Sequence, residues 1–149
     1  MVRELAHDEA AYRSLTLSWF RHSIMSQLLR LLAQTGYRII ITTDHGSIRT
    51  NNPVKIVGDR NTNTNLRYKL GKNLSYDDRD LFTIKEPQKA FLPSPNLSTS
   101  YVFATGDSFF AYPNNYNYYV TYYRNTFQHG GISMEEMMIP FITLRSKNR

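Results

Sequence analysis

An acidic residue and a histidine stand side by side at the end of a short apolar run, as Asp44-His45, with Gly46 directly after them. A second histidine, His129, precedes two glycines, Gly130 and Gly131. Together they offer one carboxylate and two imidazoles. Those are the oxygen and nitrogen donors that hold zinc, with manganese or iron as alternatives. Gly46 lets the backbone turn sharply, so adjacent side chains can converge on one point. Each residue also has a plain reading. Asp44-His45 fits a turn beside a surface histidine, and His129 fits a loop histidine bonded to backbone. His7 and His22 are read as ordinary residues.

The elements around these residues decide how far the chemistry can be taken. Tyr12, Leu15, Trp19 and Phe20 recur at helical spacing, as do Ile24, Leu28, Leu31 and Leu32, which predicts helix from Asp8 to Ala33. A break is expected near His22-Ser23, with Ser23 capping the second helix, and Gly36 is a natural stop. Tyr37 to Thr43 reads as a strand buried on both faces, as in a parallel sheet covered by helices. Asp44 and His45 then fall just past the carboxyl end of a strand, where open α/β sheets gather ligands.

Further along, Asn51 to Leu74 reads as a long loop with at most short strands. A short helix and strand are expected between Asp77 and Lys89. Tyr101–Thr105 and Phe109–Tyr112 read as strands around a Gly106-Asp107-Ser108 turn. Asn117–Asn125 leans to helix. Ser133 and Glu136 form a capping-box pattern, and Pro140–Leu144 reads as a final strand.

Composition narrows the class. The 149 residues contain no cysteine, which excludes disulfides and thiolate metal sites and agrees with a cytoplasmic protein. Hydrophobic residues make up 41%, enough for a real core. No apolar stretch reaches the length of a membrane span, so no membrane insertion is expected. Net charge is +6, unevenly placed: Arg49 to Lys72 holds six basic residues and one acid. Such a run is most often a solvated loop, but it also attracts phosphate or nucleic acid. Arg67 and Lys69 are the candidates within it for contacts to substrate phosphate.

Two motifs carry a family resemblance. Thr42-Thr43-Asp44-His45-Gly46-Ser47 resembles the Thr-x-Asp-His-Gly signature of the alkaline phosphatase superfamily. The run from Phe127 to Pro140, with His129-Gly130-Gly131-Ile132-Ser133-Met134-Glu135-Glu136 at its centre, resembles the closing motif of PglZ domains. Tyr112-Pro113-Asn114-Asn115-Tyr116 and Ser18-Trp19-Phe20 are similar to PorX-type two-component response regulators, which carry such a domain. The likeness covers nearly the whole chain.

The resemblance implies an α/β fold, the C-terminal portion of an alkaline-phosphatase-like domain with a mainly parallel sheet flanked by helices. It also implies a metal-dependent phosphodiesterase or phosphatase with two zinc ions, manganese being the alternative, about 4 Å apart. Asp44 and His45 would bind one ion and His129 would complete the other site. The implied substrate is a phosphodiester or nucleotide, and the implied partner is a second copy in the full-length regulator. The other reading is a regulatory module whose basic surface binds nucleic acid or a protein.

The chain departs from the family pattern in what it lacks. Family domains carry an Asp-x-x-x-His ligand pair and a Thr or Ser nucleophile. Here Asp8 is followed four positions on by Tyr12, no other Asp has His at that offset, and no nucleophile stands out. The expectation is therefore a C-terminal part of the domain over residues 1–149, incomplete and inactive by itself, without the domain's N-terminal part or any receiver domain.

Overall fold

The computed structural model describes Ala6, residues 8–77 and residues 81–146. In chain order the elements are α1 (Glu9–His22), α2 (Ile24–Gln34), β1 (Ile39–Thr42), β2 (Ile48–Thr50), β3 (Asn52–Val57), β4 (Tyr68–Gly71), β5 (Ser75–Tyr76), β6 (Leu81–Ile84), a 3-10 turn (Pro87–Ala90), β7 (Ser100–Ala104), β8 (Ser108–Ala111), α3 (Tyr116–Tyr123), β9 (Thr126–Gln128), α4 (Met134–Met137) and β10 (Phe141–Leu144). The chain divides into two compact units. One comprises residues 1–44 and 139–149, the other residues 45–138.

The first unit begins with the two expected helices. The Asp8 carboxylate accepts the Ala11 N–H at 2.7 Å and caps α1. The break falls at Ser23, as the sequence pattern indicated, but its side chain works backwards. The Ser23 hydroxyl donates to the Phe20 carbonyl at 2.9 Å, closing α1 rather than opening α2. Neither helix buries a residue. His22 turns its Nδ1 to the Ser18 carbonyl at 2.8 Å, an ordinary helix-end bond. His7 lies outside the described residues.

β1 pairs antiparallel with β10, Ile39 opposite Leu144 and Thr42 opposite Phe141. The Thr42 hydroxyl donates to the Pro140 carbonyl at 2.8 Å and fixes the start of the pairing. This corrects the expectation of a parallel strand buried on both faces. β1 alternates between half-buried and exposed, and all four residues of β10 are exposed.

The second unit holds the packed core. β3 lies between β5, antiparallel, and β8, parallel. β7 lies between β4 and β6, antiparallel to both. β2 and β9 form a separate antiparallel ribbon. The sheets are thus small and mostly antiparallel, a second correction to the expected main parallel sheet. Among the described residues no α-helix lies between β2 and β8. Parallel neighbours need a long crossover, so the short direct connections favour antiparallel pairing, and the parallel pair β3–β8 is joined through the intervening strands.

Asn51–Leu74, expected as a loop, contributes two strands. β7 and β8 are present on either side of the Gly106 turn, where the Ser108 N–H bonds the Thr105 carbonyl at 3.1 Å. They nevertheless pair in different sheets rather than as a hairpin. Ile56, Val102, Ala104 and Phe110 are fully enclosed, with Val54, Leu74, Tyr76, Leu81 and Tyr112 packed around them. Strand and 3-10 turn occupy the described part of Asp77–Lys89, residues 78–80 lying outside it. α3 is helical as expected. No helix among the described residues is long and apolar enough to cross a membrane.

Candidate metal centre

The ribbon of β2 and β9 brings the two histidines together. Ile48 lies opposite Gln128. His45 precedes Ile48 by one short turn and His129 directly follows Gln128. Because the strands are antiparallel, both residues leave the ribbon at the same end. Their rings stack, with centroids 4.0 Å apart and planes within 7° of parallel. His45 is exposed and His129 half-buried.

The His45 tautomer follows from its neighbour. Nδ1 lies 2.7 Å from the Gly46 carbonyl, which can only accept, so Nδ1 carries the proton. A ring whose Nδ1 donates to a carbonyl is the arrangement found in metal-ligating histidines, which bind through the other nitrogen.

A fixed scaffold sits beneath the histidines, and Glu136 is its centre. Its carboxylate accepts the Gly131 N–H at 2.8 Å and the Ser133 N–H at 3.2 Å. It receives the Arg67 guanidinium on both oxygens, Nε at 2.9 Å and Nη2 at 2.5 Å. The Glu136 backbone carbonyl accepts the Gly46 N–H at 2.9 Å. Two glycines make these contacts feasible. A Cβ on Gly46 would collide with the Glu135 carbonyl, and one on Gly131 would stand 2.6 Å from Arg67 Nη2 and 2.7 Å from Glu136 Oε2. Burial alone would raise the Glu136 carboxyl. The bonds from Arg67, the Gly131 N–H and Ser133, with the Arg67 charge, outweigh it and hold the carboxyl below its ordinary value.

Arg67 and Lys69 are not at the surface. Arg67 is 0% exposed, and besides Glu136 it donates to the carbonyls of Gly106 (2.8 Å), Ala104 and Ser108. Its charge is fully occupied inside the fold. Lys69 is 1% exposed. Its Nζ donates to the Asn63 carbonyl at 2.9 Å and lies 4.4 Å from the Tyr112 ring centroid. Burial without a carboxylate partner lowers its pKa to about 8. The expectation of substrate contacts at these two positions rested on charge in a presumed loop. Both instead occupy or flank β4, whose side chains face inward at alternate positions.

Asp44 belongs to the first unit and is exposed. Among the described residues no group of three or more His, Asp or Glu side chains gathers as a metal site. The two imidazoles therefore fit a metal by donor type, and His45 also by the bond at its Nδ1, as part of a ligand set. Sequence reasoning missed Arg67 and Glu136 as supports. The available signal was the capping-box spacing, which marked Glu136 as a helix-start residue and gave no hint of a buried partner 69 positions upstream.

A small mixed α/β chain thus brings two imidazoles together on one ribbon. The chain matches, over residues 1–144, the BREX system PglZ alkaline phosphatase-like domain, and it belongs to that family. No curated protein matches it. Membership implies an alkaline-phosphatase-like fold and a place in the phosphoesterase superfamily, whose members are typically metal-dependent.

Proposed function

We propose that the chain is the C-terminal part of a metal-dependent phosphoesterase, most specifically a phosphodiesterase acting on nucleotides or oligonucleotides. The relation to PorX-type response regulators belongs to the same proposal and rests on the short motifs around Trp19 and Pro113.

The observation that carries the reading is the parallel stack of His45 and His129. A ring nitrogen binds a metal in the plane of its ring, at about 2.0–2.1 Å. Two parallel rings cannot both aim at one ion. They address two points in ring planes no more than 4.0 Å apart, the centroid distance. Two-metal phosphoesterase sites have that separation, about 3.5–4 Å. His45 would hold one zinc or manganese ion and His129 the other, Asp44 being the further ligand that the motif resemblance alone implies. Bound ions would offset charge on the phosphoryl oxygens and lower the pKa of an attacking group. The chain's own part is to hold the imidazoles apart and parallel, with His45 Nδ1 turned to the Gly46 carbonyl. The nucleophile and remaining ligands are proposed to come from a longer polypeptide, because these 149 residues lack the Asp-x-x-x-His pair.

The test is hydrolysis of a nucleotide phosphodiester by the full reading frame, with and without chelator. Turnover abolished by chelation and by His45→Ala or His129→Ala supports the reading. Chelator-insensitive turnover would sink it. The regulatory-module alternative draws no support from Arg67 and Lys69, since both are buried.

A further inference from the structure

We propose that Glu136, locked in place by Arg67, is the positioning residue of the histidine pair, setting the spacing and parallel alignment of His45 and His129. The inference rests on the metal reading for its purpose, though not for its geometry.

Glu136 is bonded to both histidine loops. Its carboxylate holds the N–H of Gly131, two residues after His129. Its backbone carbonyl holds the N–H of Gly46, adjacent to His45. The same short segment thus fixes both backbones relative to each other. The β2–β9 ribbon brings the loops to one end, and its pairing stops at Ile48 and Gln128. Beyond that point Glu136 ties the two loops together.

Arg67 supplies the rigidity. Its guanidinium fork meets both carboxylate oxygens, and its outer donors are tied to carbonyls of the β7–β8 turn. A planar fork with every direction used fixes carboxylate orientation as well as position. The carboxylate and the peptide N–H groups of Gly131 and Ser133 then have little freedom to rotate. Lysine at position 67 would offer a point charge without that directional control.

The spacing matters for chemistry because supports of this kind act through the ligands they orient. Their loss typically costs about 10–100-fold in metal affinity. Gly46 and Gly131 belong to the same device, since a side chain at either would displace the peptide that Glu136 holds.

The experiment compares the chain with Glu136→Gln, which keeps side-chain length but replaces one accepting oxygen with a donor. Imidazole carbon-proton NMR spectra report the mutual ring-current shift of His45 and His129, zinc titration reports affinity, and thermal melting reports stability. The expected result is a folded variant in which the ring-current shift collapses and zinc binding weakens by about tenfold or more. Unchanged ring shifts and unchanged zinc affinity beside a lowered melting temperature would overturn the proposal, leaving Glu136 a purely structural residue. Should Glu136→Gln not fold, Glu136→Asp serves instead, keeping the charge beside Arg67 with one methylene less, and the same two outcomes decide. If the full reading frame binds no zinc while the variant's ring shifts still collapse, the metal reading fails and the positioning role stands.

Discussion

The two units of this chain solve the burial problem differently. Residues 45–138 enclose Ile56, Val102, Ala104 and Phe110 and bury an arginine, a lysine and a glutamate beside them. Among the described residues of the other unit, many large apolar side chains stay outside. Trp19 is 52% exposed, Ile24 79% and Phe141 71%. One unit is held by side chains meeting from many strands. The other is held by backbone bonds, caps and a single strand pairing. Apolar periodicity marks a face that could be covered, whereas coverage itself depends on neighbours in three dimensions.

The contrast breaks down first at the core. Phe110→Ala should cost about 3–5 kcal/mol. Leu28→Ala, on a helix face 43% exposed, should cost no more than about 0.5 kcal/mol. Denaturant unfolding of the two variants measures both, and equal losses would mean that the first unit packs as tightly as the second.

The two ion pairs give the next test. Arg67–Glu136 is enclosed, whereas Arg13–Glu9 is 3.5 Å long with side chains 70% and 68% exposed. Arg67→Ala strands a buried carboxylate and should cost about 3–5 kcal/mol. Arg13→Ala should cost about 0.3–0.5 kcal/mol at most. Adding salt should erase the second effect and leave most of the first.

A further test is a pH dependence. Lys69 has its pKa lowered by burial to about 8, while the unfolded chain keeps it near the ordinary lysine value. Between those values the unfolded state binds more protons than the folded one. Stability should therefore gain a rising contribution as pH climbs from about 8 toward about 10.4, on top of any other titrations. Lys69→Met should flatten that rise, as read from melting temperatures across the range. An unchanged slope would place the titration elsewhere.

Much of the local structure was legible in the residues. Helix periodicity gave α1 and α2, the Ser23 break and the Gly36 stop fell where expected, and the strands around Gly106 and after Pro140 were found. The failures share a cause. Ile39–Ile41 is apolar at every position, which reads as two-sided burial, yet pairing with Phe141–Leu144 leaves it half open. Arg67 and Lys69 look like loop charges because nothing near them in sequence announces the glutamate and tyrosine that receive them. The meeting of His45 with His129 followed from motif resemblance, and its geometry came only from the antiparallel register of β2 and β9.

That ribbon has a kinetic consequence. β2 opens the second unit and β9 lies near its close, so Ile48 and Gln128 can pair only after nearly all of the intervening chain has been drawn together. Closing so large a loop carries the greatest entropy cost of any pairing in the unit and favours late formation. The histidine pair would then assemble as the last event of folding. A metal held there would slow unfolding by fastening the step that opens first, and would do little to speed the collapse that precedes it.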